Sequence, residues 1–399
     1  MSSSSEGANR RARAAVIAFF VLAGLSFSAW AVRIPDVKQK LGLDDATLGL
    51  VLLGMAVGSI VAMTSSGWSI ARFGSRRVTA VCGLLVCVTM VPPVIAPSPG
   101  LLFAALFLFG AAYGTMDVAM NAQAVLVEEQ YGRPIMSSFH ALFSSGALVG
   151  SFIAGFIAGQ GIAPFPHMLG TGIVLAVLAL AAQAHLVPAA NEGSADGPVF
   201  ALPTGPLFGL GLVAFCVLLA EGAVSDWSAV YLRDVLGASA AAGGWGFTAF
   251  SLLMAAGRFA GDGLVQKLGA VRVIRGGGVL VAFGLGLALL VGSLPAAVVG
   301  FAFVGAGLAA AFPIAISAAG RTPGVPAGTA VAAVATAGYS GFLVGPPAIG
   351  LVSHALGGLQ AGLAVVAVLG VAIALLAGQA RHAETGAHAT PLAEAGAEL

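Results

Sequence analysis

The chain has 399 residues, 59% of them hydrophobic and 8% charged, with 17 Lys and Arg against 16 Asp and Glu and a mean hydropathy of +1.00. An ordinary soluble domain is about a quarter charged, and a soluble chain of this length keeps too much wetted surface to bury so many apolar side chains. Intrinsic disorder is excluded by the same apolar content, and nucleic acid as a partner by the lack of a basic excess to neutralise phosphates, which leaves a protein whose outer surface faces a lipid bilayer.

A bilayer core about 30 Å thick takes roughly 20 apolar residues of helix. In chain order this template predicts twelve spans, at 14–34, 46–69, 78–97, 100–126, 137–160, 166–187, 206–232, 242–264, 273–292, 296–319, 328–352 and 358–379. The runs are long and continuous, not alternating segments of about ten, so the expected class is all-α and not a β-barrel. Pro- and Gly-rich breaks separate them, as at Pro97-Ser98-Pro99-Gly100. The first span follows Arg10, Arg11 and Arg13 and contains the small triplet around Trp30, features shared with signal peptides, but its apolar run is too long for a signal core and is read as a retained helix. Residues 1–13 and 380–399 are read as cytoplasmic tails, of which Met1–Asn9 and Arg381–Leu399 are polar, small-residue segments expected to be disordered. Cys82, Cys87 and Cys216 all sit in apolar runs and are expected to pack as small hydrophobes.

With twelve spans both termini share one side. Thirteen of the 17 basic residues fall on that side, and only Arg33, Lys38, Lys40 and Arg233 on the other. The positive-inside rule then places both termini in the cytoplasm.

Sliding the chain against itself by 195 residues sets Gly42, Gly49, Gly74, Gly83, Gly110, Gly146, Gly150 and Gly155 on Gly237, Gly244, Gly269, Gly278, Gly305, Gly341, Gly345 and Gly350. Arg72-Phe-Gly-Ser-Arg-Arg-Val78 falls on Lys267-Leu-Gly-Ala-Val-Arg-Val273, and Trp30 matches Trp227 with a two-residue shift. The expected organisation is therefore two pseudo-symmetric six-helix bundles, 14–187 and 206–379, joined by a linker over 188–205.

Between the second and third spans, Gly67-Trp-Ser-Ile-Ala-Arg-Phe-Gly-Ser-Arg-Arg77 resembles the loop motif of the major facilitator superfamily. Gly67, Arg72, Gly74, Arg76 and Arg77 match; Ala71 stands at the family's Asp position and Gln266 at the equivalent place of the second half. The resemblance implies a twelve-helix transporter of a bacterial inner membrane with a cytoplasmic gate at Arg72, Arg76 and Arg77, to which Arg258 and Asp262 are added as an i,i+4 pair near the second copy of the motif. In span four, Gly114-Thr-Met-Asp-Val-Ala-Met-Asn121 resembles a stretch of fucose-permease-like transporters whose acid takes part in proton coupling. Asp117–Gln123, Arg133–His140 and Glu221–Asp234 resemble the MosC-type and YbjJ-type branch, one member of which is linked to an inositol-derived amine. Ala31 stands near the place of the helix-one acid of fucose permease. Helix five, Gly146–Gly155, lacks the Gly-Pro element of drug/proton antiporters.

Ionisable groups in spans are expensive, and the few present are functional candidates. Asp117 lies mid-span, on one helical face with Tyr113 and Asn121. Glu221 lies in span seven, the repeat mate of span one, with Asp226 nearer the periplasmic end. These three acids are the candidate proton carriers, with Asp226 alternatively pairing with Arg33 or Arg233. Ser137, His140, Ser144 and Ser151 make a polar stripe on span five. The expected solute-binding set is Tyr113, Asn121, His140, Ser144, Trp30, Trp245 and Tyr339. There is no phosphate-binding Gly-Lys-Ser/Thr loop and no metal-ligand spacing, so no cofactor is expected. The expected activity is not enzymatic: a monomeric, proton-coupled secondary transporter moving a small sugar- or polyol-like solute by alternating access. Efflux of amphipathic drugs, or a sensor or scaffold that moves no solute, are the alternatives.

Overall fold

The computed structural model describes residues 3–132, 135–188 and 201–383, excepting several side chains, among them those of Ser137 and Asp262. Arg133, most of the expected linker and the tail beyond residue 383 lie outside the described residues. Twelve of the described helices are long and apolar enough to cross a membrane: α1 (Asn9–Leu41), α2 (Asp45–Phe73), α3 (Ser75–Ile95), α4 (Pro99–Tyr131), α5 (Ser138–Gly159), α6 (Pro164–Gln183), α7 (Gly205–Val235), α8 (Ala240–Gly261), α9 (Ala270–Val291), α10 (Leu294–Gly320), α11 (Ala327–Leu356) and α12 (Leu359–Arg381). Each predicted span corresponds to one of them. The side on which the chain begins is termed the terminal side, and the opposite one the far side.

Helix ends follow local chemistry. Asp44 caps α2 by accepting a hydrogen bond from Thr47 N at 2.7 Å, which holds its exposed carboxyl below the usual range. Ser98 caps α4, Pro99 occupies its first position, and Gly132 ends it in the left-handed region. Glu128 near that end accepts from Ile135 N and Met136 N, both at 2.7 Å, so a carboxylate satisfies the first free amides of the next helix.

The start of the chain corrects an expectation. The first helix is continuous from Ser3, so the polar segment read as a disordered tail extends α1. Its base is tied to the end of α4 and the start of α5: Arg13 donates to Ser138 Oγ at 3.2 Å and lies over the Tyr131 ring. Three spans are interrupted within their length. α8 turns at Gly244, between a short helix Ala240–Gly243 and a long one Trp245–Leu268. α3 breaks after Thr89, ahead of Pro92 and Pro93, and α10 breaks at Ala309, whose carbonyl loses its helical donor to Pro313.

The 195-residue repeat is visible in the backbone. Gly74 and Gly269 end α2 and the helix of α8 with φ 80° and 84° and ψ 144° and 152°, a conformation that favours glycine. Gly110 packs against the carbonyl of Met55, and Gly305, 195 residues on, against that of Phe250, so the same contact joins α4 to α2 and α10 to α8.

The two halves meet mainly toward the far side. Gly49 and Gly350 let α2 and α11 touch at Pro346 and Asp45, and Gly155 and Gly159 bring α5 onto Ala241. Toward the terminal side, Trp68 near the end of α2 and Phe259 on α8 are 66% and 68% exposed. The described contacts between the halves are thus concentrated toward the far side.

Candidate functional site

Five helices bring polar groups together at mid-depth. On α4, Asn121 donates to the backbone carbonyl of Asp117 at 2.8 Å and approaches its Oδ1 at 3.4 Å, and Tyr113 donates to Ala23 O at 3.4 Å. On α7, Glu221 faces Arg258 of α8, Oε1 to Nη2, at 3.7 Å. The same guanidinium donates from Nη1 to Ser144 Oγ of α5 at 2.8 Å, a hydrogen bond between the two halves. The charges of Asp117 and Glu221 both fall on Tyr113 and on Tyr339 of α11, and that of Arg258 falls on His140. Asp117, Glu221, Tyr113, Asn121, His140, Ser144 and Tyr339 thus form one cluster, and Tyr339, 37% exposed, faces open space.

Four expected residues are placed elsewhere. Arg258, assigned to a terminal-side gate, belongs to the central cluster, because Ser144 and Glu221 hold it there. Trp30 is 2% exposed within the apolar core and offers no open ring face to a solute. Trp245 begins the long helix of α8 at the far end, 49% exposed, about 20 Å along the axis from Arg258. Asp226 has neither of the partners considered for it: Arg233 and Arg33 both pair with Asp36 instead, at 2.6 and 3.0 Å.

The far side carries a charge network that composition alone did not reveal. Arg33, buried, donates from Nε to His167 Nδ1 at 3.0 Å and from Nη2 to Ile162 O at 2.8 Å. Asp36 bridges Arg33 of α1 to Arg233 of α7, and Lys38 links Asp45 of α2 to Asp234, at 2.8 and 2.7 Å. Two of these ion pairs cross between the halves. Deeper along the same seam, Ser151 and Thr248 hydroxyls meet at 2.8 Å. A cavity of about 360 Å³ lined by Asp36, Lys40, Val94 and Phe165, among others, opens on this face, away from the central cluster.

On the terminal side Arg72 and Arg77 are exposed, and Arg76 donates to Ala184 O at 3.3 Å. The Asp262 side chain lies outside what is described. The clamp here is Gln123, wholly buried, which donates to Ser75 Oγ at 2.6 Å and Val187 O at 2.9 Å and accepts from Val187 N at 2.8 Å. Its place in the helix-four stretch was the available signal; its two partners, Ser75 and Val187, 48 and 64 residues away, were not.

The same architecture recurs in known proteins. The model of the Major Facilitator Superfamily matches residues 15–223 and 210–396. An uncharacterized MFS-type transporter of Yersinia pestis is 40% identical over 90% of this chain and 92% of its own length. The membrane protein MosC of Rhizobium meliloti is 36% identical over 89% of this chain and 86% of its own. The crystal structure of the nucleoside transporter NupG superposes with a TM-score of 0.68 at 16% identity, covering 92% of this chain and 98% of that one. With twelve membrane helices in two repeated bundles and these matches along nearly its whole length, the chain is a multi-pass membrane protein of the Major Facilitator Superfamily, a family of transporters and not of enzymes.

Proposed function

We propose that the chain is a secondary active transporter of a small polar solute, coupled to protons through Asp117 and Glu221, and acting by alternating access in a bacterial inner membrane. The observation that carries this reading is the central cluster: two carboxyl groups, one guanidinium and two tyrosines at mid-depth, where ionisable groups are costly and sparse. Asp117 is the primary proton carrier. Its one side-chain contact among the described residues is with neutral Asn121, so gaining or losing a proton changes the charge of the site itself.

The structure supports an inward-facing arrangement. If the termini are cytoplasmic, the far side is the outside, and it is shut by the Asp36 and Lys38 ion pairs, while the cluster opens toward the cytoplasm. Rocking the halves about the midplane would break these pairs and close the terminal side. The polar lining favours a hydroxylated solute over an amphipathic drug, because Tyr113, Asn121, Ser144 and Tyr339 supply hydrogen-bonding groups. The protein works as a monomer in this reading, since each chain contains a complete cluster.

Reconstituted protein in liposomes tests it. Asp117→Asn is expected to abolish solute accumulation driven by a pH gradient while leaving solute exchange across the membrane. Accumulation equal to that of the unaltered protein would refute proton coupling at Asp117.

A further inference from the structure

We propose that Arg258 is the binding site for a carboxylate group on the transported solute, with Glu221 as the internal carboxylate that the solute replaces. This rests on the transporter reading above and names the class of solute. The motivating geometry is an incompletely used guanidinium. Arginine carries five N–H donors in a fixed fork and stays charged in proteins. Among the described residues, Arg258 makes one hydrogen bond, to Ser144 Oγ at 2.8 Å, and one long ion pair, to Glu221 at 3.7 Å. A charge-assisted N–H···O bond is about 2.7–2.9 Å long, so Glu221 neutralises the guanidinium without filling its donors. Arg258 is 24% exposed and Glu221 18%, so both are reached from the opening.

The ligand chemistry follows. The guanidinium fork matches a planar carboxylate through two parallel bonds, and the group now beside it is itself a carboxylate. A solute carboxylate seated there would displace Glu221 Oε1 by a few ångströms. Its hydroxyl groups would then meet Tyr113, Asn121 and Tyr339.

Charge arithmetic ties this step to protons. With both acids ionised, Asp117, Glu221 and Arg258 sum to one net negative charge, which repels an anion. A proton on each acid leaves one net positive charge, which holds it. Displaced from Arg258, the Glu221 carboxylate takes a proton from a hydronium ion on the open side; one hydronium O–H bond breaks as the carboxyl O–H bond forms, water is left behind, and the solute anion enters with that proton. The other titratable groups around this place are Tyr113 on α4 and Tyr339 on α11, which feel the charge of Glu221, and His140 on α5, which feels that of Arg258; Asp117 on α4 acts on the same two tyrosines, and Asp262 lies one turn further along the helix of α8.

Thermal unfolding of the purified full-length protein tests the proposal, with millimolar D-gluconate and D-glucuronate set against their neutral counterparts sorbitol and D-glucose. The two carboxylates are expected to raise Tm by about 2 °C or more over the neutral pair, and by more in mildly acidic than in mildly alkaline buffer. Arg258→Gln is expected to remove that difference, Arg258→Lys to keep part of it, and Glu221→Gln to keep it while weakening its dependence on acid, the remainder resting on Asp117. Equal response to charged and neutral probes, or a carboxylate preference surviving in Arg258→Gln, would overturn the carboxylate site and leave the transporter reading standing. Should Arg258→Gln fail to fold, labelling of the unaltered protein by phenylglyoxal decides: gluconate is expected to slow modification of Arg258 several-fold relative to sorbitol, and equal rates would overturn the proposal. Flux of a neutral solute with no role for Asp117 would count against proton coupling, a separate failure.

Discussion

Asp117 and Glu221 could be read from sequence because a carboxyl group inside an apolar run has few explanations. Arg258 was misread for a physical reason: its i,i+4 spacing to Asp262 is a local signal, whereas Ser144, which seats it, is 114 residues away and becomes a neighbour only when α5 packs on α8. Trp30 shows the reverse error, since an aromatic near a repeat position looks like a cavity wall until packing buries it. Gln123 gives a prediction at the same scale. Replacing it with Leu leaves Val187 N and Ser75 Oγ short of their Gln123 partner at a buried site, and is expected to cost about 2–3 kcal/mol. Thermal unfolding measures this directly, and Gln123→Glu, which keeps the acceptor and loses the donors, is expected to fall between.

Among the helices, the count of twelve was legible because each span must hold roughly 20 apolar residues. The ends and interruptions were less so. Nothing apolar marks the continuation of α1 back to Ser3, which contacts of Arg13 with α4 and α5 support. The glycine register was readable as a repeat, but its meaning is a set of backbone contacts. Gly110→Ala and Gly305→Ala would each drive a methyl group into a neighbouring carbonyl, of Met55 and Phe250. Each is expected to lower stability by about 1–3 kcal/mol, as overpacking does. Gly170→Ala in α6, where a methyl group meets nothing within 4 Å, is expected to leave Tm unchanged or slightly raised. Equal losses at all three positions would mean that helix contacts do not explain the glycine pattern.

As a whole, the molecule is two repeated bundles held together on one side by ion pairs between α1, α2 and α7. The fold was legible from the repeat and the loop motif. The ion-paired side was not, because Asp36 and Arg233, like Lys38 and Asp234, lie nearly one repeat apart and meet only across the interface. Asp36→Asn would weaken the pairing of both Arg33 and Arg233 and is expected to shift the population toward far-side opening. Spin-label distances in liposomes, between Gln39 and Val235 on the far side and between Arg77 and Arg272 on the terminal side, read this motion in protein whose three buried cysteines are replaced by Ala. Alternating access predicts that adding acid and solute, or introducing Asp36→Asn, lengthens the first distance and shortens the second together. Both distances unmoved, or both changing in the same direction, would contradict it.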